Sequence, residues 1–213
     1  MPNKILDLLS ENEFPDISDV DSHRLEEPNP GVTFRGQHLI EMQCTRAMIL
    51  AVKPKRVIEV GVEKGWSAAA IIGFESSIQY YIGCDVAASK FTRNSPFKLF
   101  NFYHGSYQKF VAEFLKSDQE KFDMMHMDSE HYNEQYIRGY LESFPKICDS
   151  GALVIIHDMD VGCVERELVK KYLHLFDAHL FTHKSDLVGL IDEYPNLSFL
   201  MDNKQAQFIG ILK

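Results

Sequence analysis

Residues 55–67 read KRVIEVGVEKGWS. Val57, Ile58 and Val60 are β-branched, which suits an extended strand buried on both faces, as in a parallel sheet. Gly61 and Gly65 then permit a tight turn and a close backbone approach to a ligand. Ser67 to Ala70 opens a helix whose first N–H groups have no intrahelical partner. Strand, glycine turn and helix start together make a cradle for a small molecule. The spacing E-x-G-x-x-x-G departs from the dinucleotide pattern G-x-G-x-x-G, and the Gly-Lys-Ser/Thr ending of a phosphate-binding loop is missing. Glu59 places a carboxylate in the cradle, which favours a positively charged ligand over a pyrophosphate.

The whole chain sets bounds on this reading. Its 213 residues, 45% hydrophobic and 25% charged, suit one domain with a sizeable core and exclude a largely disordered chain. The formal charge of -9 argues against nucleic acid and against anionic membrane surfaces. A small-molecule substrate is the expected partner, and a homo-oligomer is left open. Cys44, Cys84, Cys148 and Cys163 show no C-x-x-C spacing, so reduced thiols and a cytoplasmic location are expected. The first residues, MPNKILDLLSENEF, lack the apolar core of a signal peptide, and no stretch approaches the roughly 18 apolar residues of a membrane span.

Outward from the cradle, residues 3–10 give a short amphipathic helix, and the acidic, Pro-containing stretch 11–30 reads as an irregular cover. Apolar residues recur at helical spacing over 33–52 until Pro54. QYYIGCD, residues 79–85, is a second strand that ends on Asp85, about 20 residues past the glycine turn, where a carboxylate can accept both hydroxyls of a ribose. A third strand, 100–104, runs into Gly105-Ser106 and a helix from Tyr107 to Leu115. FDMMHMD, 122–128, is a fourth strand, and it brings Asp128, Glu130 and His131 to the carboxyl rim where ligands bind in open α/β sheets. A helix over 134–148 follows, whose Tyr136, Tyr140, Leu141 and Phe144 recur as a sheet-facing stripe. The fifth strand, 150–156, ends on His157-Asp158-Met159-Asp160. A helix continues from Gly162 to about Phe176. The runs 197–201 and 207–212 around a D-N-K turn suggest an antiparallel hairpin, with 187–191 as the other candidate for one of its strands.

Glu59 with its spaced glycines resembles the first motif of the class I S-adenosylmethionine-dependent methyltransferases. The combination D-S-x-H-Y, a helix, then G-A-L-V-I-I-H-D is similar to the small O-methyltransferases related to the catechol, caffeoyl-CoA and macrocin enzymes and to the cephalosporin hydroxylase-like group. The resemblance extends over residues 33–160. It implies a three-layer α/β/α, doubly wound, mostly parallel seven-stranded sheet with a C-terminal antiparallel hairpin. It divides the chain into an N-terminal helix and cover, 1–32, and a methyltransferase domain, 33–213.

The same resemblance implies S-adenosyl-L-methionine as cofactor and a small hydroxyl-bearing metabolite or natural product as methyl acceptor. Its cofactor-binding residues would be Glu59, Gly61, Gly65, Trp66, Ser67, Asp85, Ser106 and Asp128, with Ser106 near the adenine and Trp66 either shielding the ligand or packing on strand one. Catalysis falls to Asp128 and to His131 as general base, since an acceptor hydroxyl must lose its proton and an imidazole titrates near neutrality. Asp128 and Asp158 resemble two carboxylate ligands of the metal-dependent members, which suits Mg2+ or another divalent metal. Met159 stands where catechol-type enzymes have Asn, and His157 where the cephalosporin hydroxylase-like group has Glu, so the third ligand is left open between water, Asp160 and His157, of which His157 would shift the preference toward softer divalent metals. Two other functions fit a similar sheet: an NAD-dependent oxidoreductase, against which Glu63 sets a carboxylate where pyrophosphate would approach, and a non-catalytic nucleoside-binding module.

Overall fold

In the computed structural model, which describes residues 3–12, 14, 36–73, 77–129, 133–203 and 206–213, Arg56–Val60 forms strand β1. The other strands are β2 (Tyr80–Asp85), β3 (Phe100–His104), β4 (Phe122–Met127), β5 (Cys148–Ile156), β6 (Phe176–Phe181) and β7 (Phe208–Leu212). The helices are α1 (Lys4–Glu11), α2 (Gly36–Val52), α3 (Trp66–Ile72), α4 (Lys90–Arg93), α5 (Tyr107–Phe114), α6 (Glu134–Ile147), α7 (Val164–Lys171) and α8 (Lys184–Leu187). Among the described residues seven strands make one sheet in the order β3-β2-β1-β4-β5-β7-β6. Pairs among β1 to β5 are parallel, while β7 runs antiparallel to both β5 and β6. This is the doubly wound, mostly parallel seven-stranded sheet with a C-terminal antiparallel pair expected from the sequence. The order reverses between β1 and β4, the switch point beside which open α/β sheets bind ligands.

Alternation along each strand separates two cores. Val57, Met124, Leu153 and Ile155 pack with Met48 of α2 and Ile71 of α3 on one face. Ile58, Met125, Val154 and Phe208 pack with Phe110, Phe144 and Leu168 on the other. Helix α1 joins the first core: Asn3 caps it by accepting from Ile5 N at 3.0 Å, and Ile5, Leu6 and Leu9 are fully buried. Long-range bonds fix it there. Asn3 Nδ2 donates to His179 O at 3.3 Å, Tyr194 Oη to Asp7 at 2.6 Å, and Asn196 Nδ2 to Ser10 O at 3.1 Å. The expected boundary at residue 32 lies outside the described residues.

The C-terminal third differs in detail from the sequence expectation. Helix α7 stops at Lys171 and a 3-10 turn covers Leu173–Leu175, so Phe176 begins a strand instead of ending a helix. Its signal is period two, with Phe176, Ala178 and Leu180 buried; Asp177 and His179 on the alternate positions break up the apolar run. The run 197–201 is not a strand but part of the 3-10 helix Pro195–Asp202, where Leu197 and Leu200 stack at the three-residue spacing and are fully buried. Residues 187–191 are likewise not a strand: α8 ends at Leu187 and a 3-10 turn starts at Ile191.

Candidate active site

Backbone bonds carry the parallel ladder past the strand ends and bring three loops together. Gly61 N donates to Cys84 O at 2.9 Å, Asp128 N to Val60 O at 2.8 Å, and Gly105 N to Asp85 O at 2.9 Å. Gly61 has φ +85°, and a Cβ built on it would stand 2.0 Å from Asp128 O, so only glycine lets the first loop lie against the end of β4. A Cβ built on Gly65, which has φ +79°, would stand 2.2 Å from the Phe91 ring.

Between these loops is a crevice of about 380 Å³ lined by Gly61, Asp85, Ser106, Asp128, Ser129 and Tyr136, among others. That volume falls within the range of roughly 300 to 1,000 Å³ usual for small-molecule sites. Asp85 holds the first loop from below: its carboxylate accepts from Val62 N at 2.9 Å, Glu63 N at 3.0 Å and Ala87 N at 2.9 Å. A carboxylate has about four acceptor sites, so capacity remains for one ligand hydroxyl without displacing an amide. Ser106 caps α5 by accepting from Lys109 N at 3.3 Å and lines the crevice as well. The charged lining is Glu63, Asp85 and Asp128, and no lysine or arginine is among the described lining residues.

Glu59, Gly65, Trp66 and Ser67 are not in this lining. Glu59 shares the Val57 face of β1, opposite to Ile58 and Val60, so its side chain enters the layer beneath α2 and α3. There it is fully buried, accepting hydrogen bonds from Ser67 Oγ and from Tyr81 Oη at 2.8 Å, with His126 Nδ1 at 3.6 Å. Burial, reinforced by the Glu59 carboxylate, pushes the Tyr81 phenol well above its ordinary value. Glu59 therefore anchors β1 to β2 and to the start of α3. Trp66 opens α3 and packs against the core on the same face. His131, the expected general base, and Glu130 lie outside the described residues.

Asp128 also belongs to a second grouping. Asp128, His157 and Asp158 each offer a ligand atom, and these atoms all lie within 4.8 Å of one another. His157 N donates to Met127 O at 2.9 Å, which fixes the end of β5 against the end of β4. Asp158 has φ +53°, a left-handed backbone that Asp tolerates better than most residues. The His157 imidazole is 3% exposed, with Nε2 at 2.9 Å from Glu41 Oε2 and Nδ1 at 3.4 Å from Asp158 Oδ1. Burial by itself lowers its pKa, but Glu41, Asp158 and Asp128 outweigh that effect and hold it well above the usual imidazole value. One imidazole and two carboxylates form a donor set that suits a divalent cation.

Sequence reasoning missed three participants. Tyr136, read as part of a core stripe, is 41% exposed and lines the crevice, because it falls in the first turn of α6 where the helix overhangs the rim. Glu41 sits between apolar Ile40 and Met42 and is fully buried; a lone acid inside an apolar stripe was the available signal. His126 in FDMMHMD is the third, fully buried beside Glu59, its ring centroid 6.2 Å from that of His157.

Residues 58–159 match the family model described as a methyltransferase domain. No curated protein matches the chain. Among solved structures the chain is similar to the O-methyltransferase from Bacillus cereus in complex with SAH, at 12% identity over 99% of this chain and 98% of that one, with a TM-score of 0.60. It is similar to the O-methyltransferase TomG from Streptomyces achromogenes in complex with SAM, at 12% identity over 100% and 91%, TM-score 0.58. It is also similar to the MycE methyltransferase of mycinamycin biosynthesis in complex with Mg, SAH and mycinamycin VI, at 15% identity over 95% and 56%, TM-score 0.55.

Proposed function

We propose, from the methyltransferase-domain match over residues 58–159 and from a fold shared with class I methyltransferases, that this chain is an S-adenosylmethionine-dependent methyltransferase acting on a hydroxyl oxygen of a small molecule. The observation that carries the reading is the crevice lining: three carboxylates, with no lysine or arginine among its described residues. Such a rim attracts the sulfonium and ammonium of S-adenosylmethionine and repels a pyrophosphate, which argues against a nicotinamide cofactor.

S-adenosylmethionine supplies an electrophilic methyl group when bound, and the chain's residues align and shield it. Asp85 would accept a ribose hydroxyl, Ser106 would meet the adenine edge, and Gly61 lets the ligand approach the backbone. Asp128 stands at the junction of crevice and acid–imidazole grouping, where it would contact both the cofactor and the acceptor side. A divalent cation there, held by Asp128, His157 and Asp158, would lower the pKa of an acceptor hydroxyl. His131, two positions beyond Ser129 of the lining, is the proposed general base, and Tyr136 is the proposed aromatic wall.

The cytoplasm is the proposed compartment, in keeping with four free cysteines. The net charge of -9 supports a small-molecule partner over nucleic acid. No helix among the described residues is long and apolar enough to cross a membrane.

Calorimetry with S-adenosylhomocysteine, NAD and ATP tests the reading. The expected result is binding of S-adenosylhomocysteine alone. Asp85→Asn should weaken it about tenfold or more, the scale of a hydrogen bond to a charged group, about 1.5 to 3 kcal/mol. Binding of NAD with none of S-adenosylhomocysteine overturns it.

A further inference from the structure

We propose that Glu41 is a positioning residue that fixes the His157 imidazole as a nitrogen ligand, so that Asp128, His157 and Asp158 select a transition-metal dication, of the manganese, cobalt or zinc class, over magnesium. The inference deepens the methyltransferase reading and rests on it for what the ion would serve.

The geometry comes from three elements. Glu41 lies on α2, fully buried, and its Oε2 is 2.9 Å from His157 Nε2. With that nitrogen facing the Glu41 carboxylate, Nδ1 is the ring atom on the side of Asp158, 3.4 Å from its Oδ1. A carboxylate behind a ligating histidine sets its ring orientation and raises its basicity. The carboxylate of Glu41 has no solvent to turn towards, so the ring is held by a partner that cannot swing away. The three ligand atoms lie within 4.8 Å of one another. Donors about 2.1 Å from a shared ion stand at most about 4.2 Å apart, so a closing movement of about half an ångström suffices.

The donor chemistry then sets the preference. Magnesium favours an all-oxygen shell and sheds water reluctantly. An imidazole beside two carboxylates suits borderline ions that accept nitrogen. The element that departs from an all-oxygen set is His157, and the structure supplies it with a dedicated, buried orienting partner.

The test uses the full chain freed of metal by chelator dialysis. Titration with MnCl2, CoCl2 and MgCl2 by calorimetry should show manganese and cobalt binding at least tenfold more tightly than magnesium. Pulsed electron paramagnetic resonance of the Mn2+-loaded protein should show modulation from a directly bound 14N, and His157→Gln should abolish it. Glu41→Gln should weaken Mn2+ binding about 10- to 100-fold while thermal melting confirms a folded protein; if that variant does not fold, Glu41→Asp, which keeps the carboxylate one methylene shorter, should give a smaller loss. Bound Mn2+ without 14N modulation, wild-type affinity in Glu41→Gln, or no ion binding would each sink the proposal. S-adenosylhomocysteine calorimetry on the same samples separates the two readings: retained nucleoside binding with no nitrogen-ligated metal removes this inference and leaves the methyltransferase standing, whereas lost nucleoside binding removes the methyltransferase.

Discussion

His157 is buried among Glu41, Asp158 and Asp128, and although burial opposes its charge, those carboxylates raise its pKa well above the ordinary value. A group whose pKa is higher folded than unfolded contributes stability in full below its unfolded pKa, near 6.5, and loses that contribution as pH rises through the folded value. In metal-free protein the stability difference between wild type and His157→Gln should therefore be largest below about pH 6.5 and should shrink steadily at higher pH, as read by urea denaturation across a pH series. A gap that widens with pH would contradict this assignment. Gly61 makes a steric prediction. Gly61→Ala puts a methyl group against Asp128 O on a left-handed backbone, a strain of about 1 to 3 kcal/mol before any clash. Both the melting temperature and S-adenosylhomocysteine affinity should fall, whereas Gly151→Ala, also at positive φ but with open space around its Cβ, should spare binding.

Helices and strands were legible where one period dominated. β1, β4 and β5 were readable as largely apolar runs ending on a polar rim, because a strand covered on both faces can be apolar throughout, and β2 and β3 as short strands running into Asp85 and into Gly105-Ser106. β6 was not, since Asp177 and His179 stand on its half-exposed side; nor was the 3-10 helix at Pro195–Asp202, whose buried Leu197 and Leu200 look like part of a strand when only hydrophobicity is read. The site was legible to the same degree. Asp85, Ser106 and Asp128 were found from their places after strand ends and do share a crevice, whereas Glu59 was placed by motif and its orientation followed from pleat parity, which a motif does not encode. Helix α1 yields the prediction at this scale. Leu6 is fully buried between α1 and the sheet, so Leu6→Ala should cost about 2 to 5 kcal/mol, measured by chemical denaturation, with the crevice's nucleoside affinity unchanged in the folded fraction.

Across the whole molecule, acids are distributed by face. The crevice presents Glu63, Asp85 and Asp128 at one rim of the sheet, while Asp123 at the other rim accepts from Lys55 N at 2.9 Å and Arg56 N at 2.6 Å and so ties strand starts together. Both rims use a carboxylate to hold backbone amides, and Asp85 at the crevice has acceptor capacity beyond the three it engages. The capping of α1 by Asn3 and its bonds to His179, Tyr194 and Asn196 join positions 176 to 187 residues apart. On a ribosome α1 must then wait, with Ile5, Leu6 and Leu9 without these partners, until the segment that carries His179, Tyr194 and Asn196 has been translated. Closure of so long a loop is slow, and chaperones would meet this apolar stripe long before its own strands do.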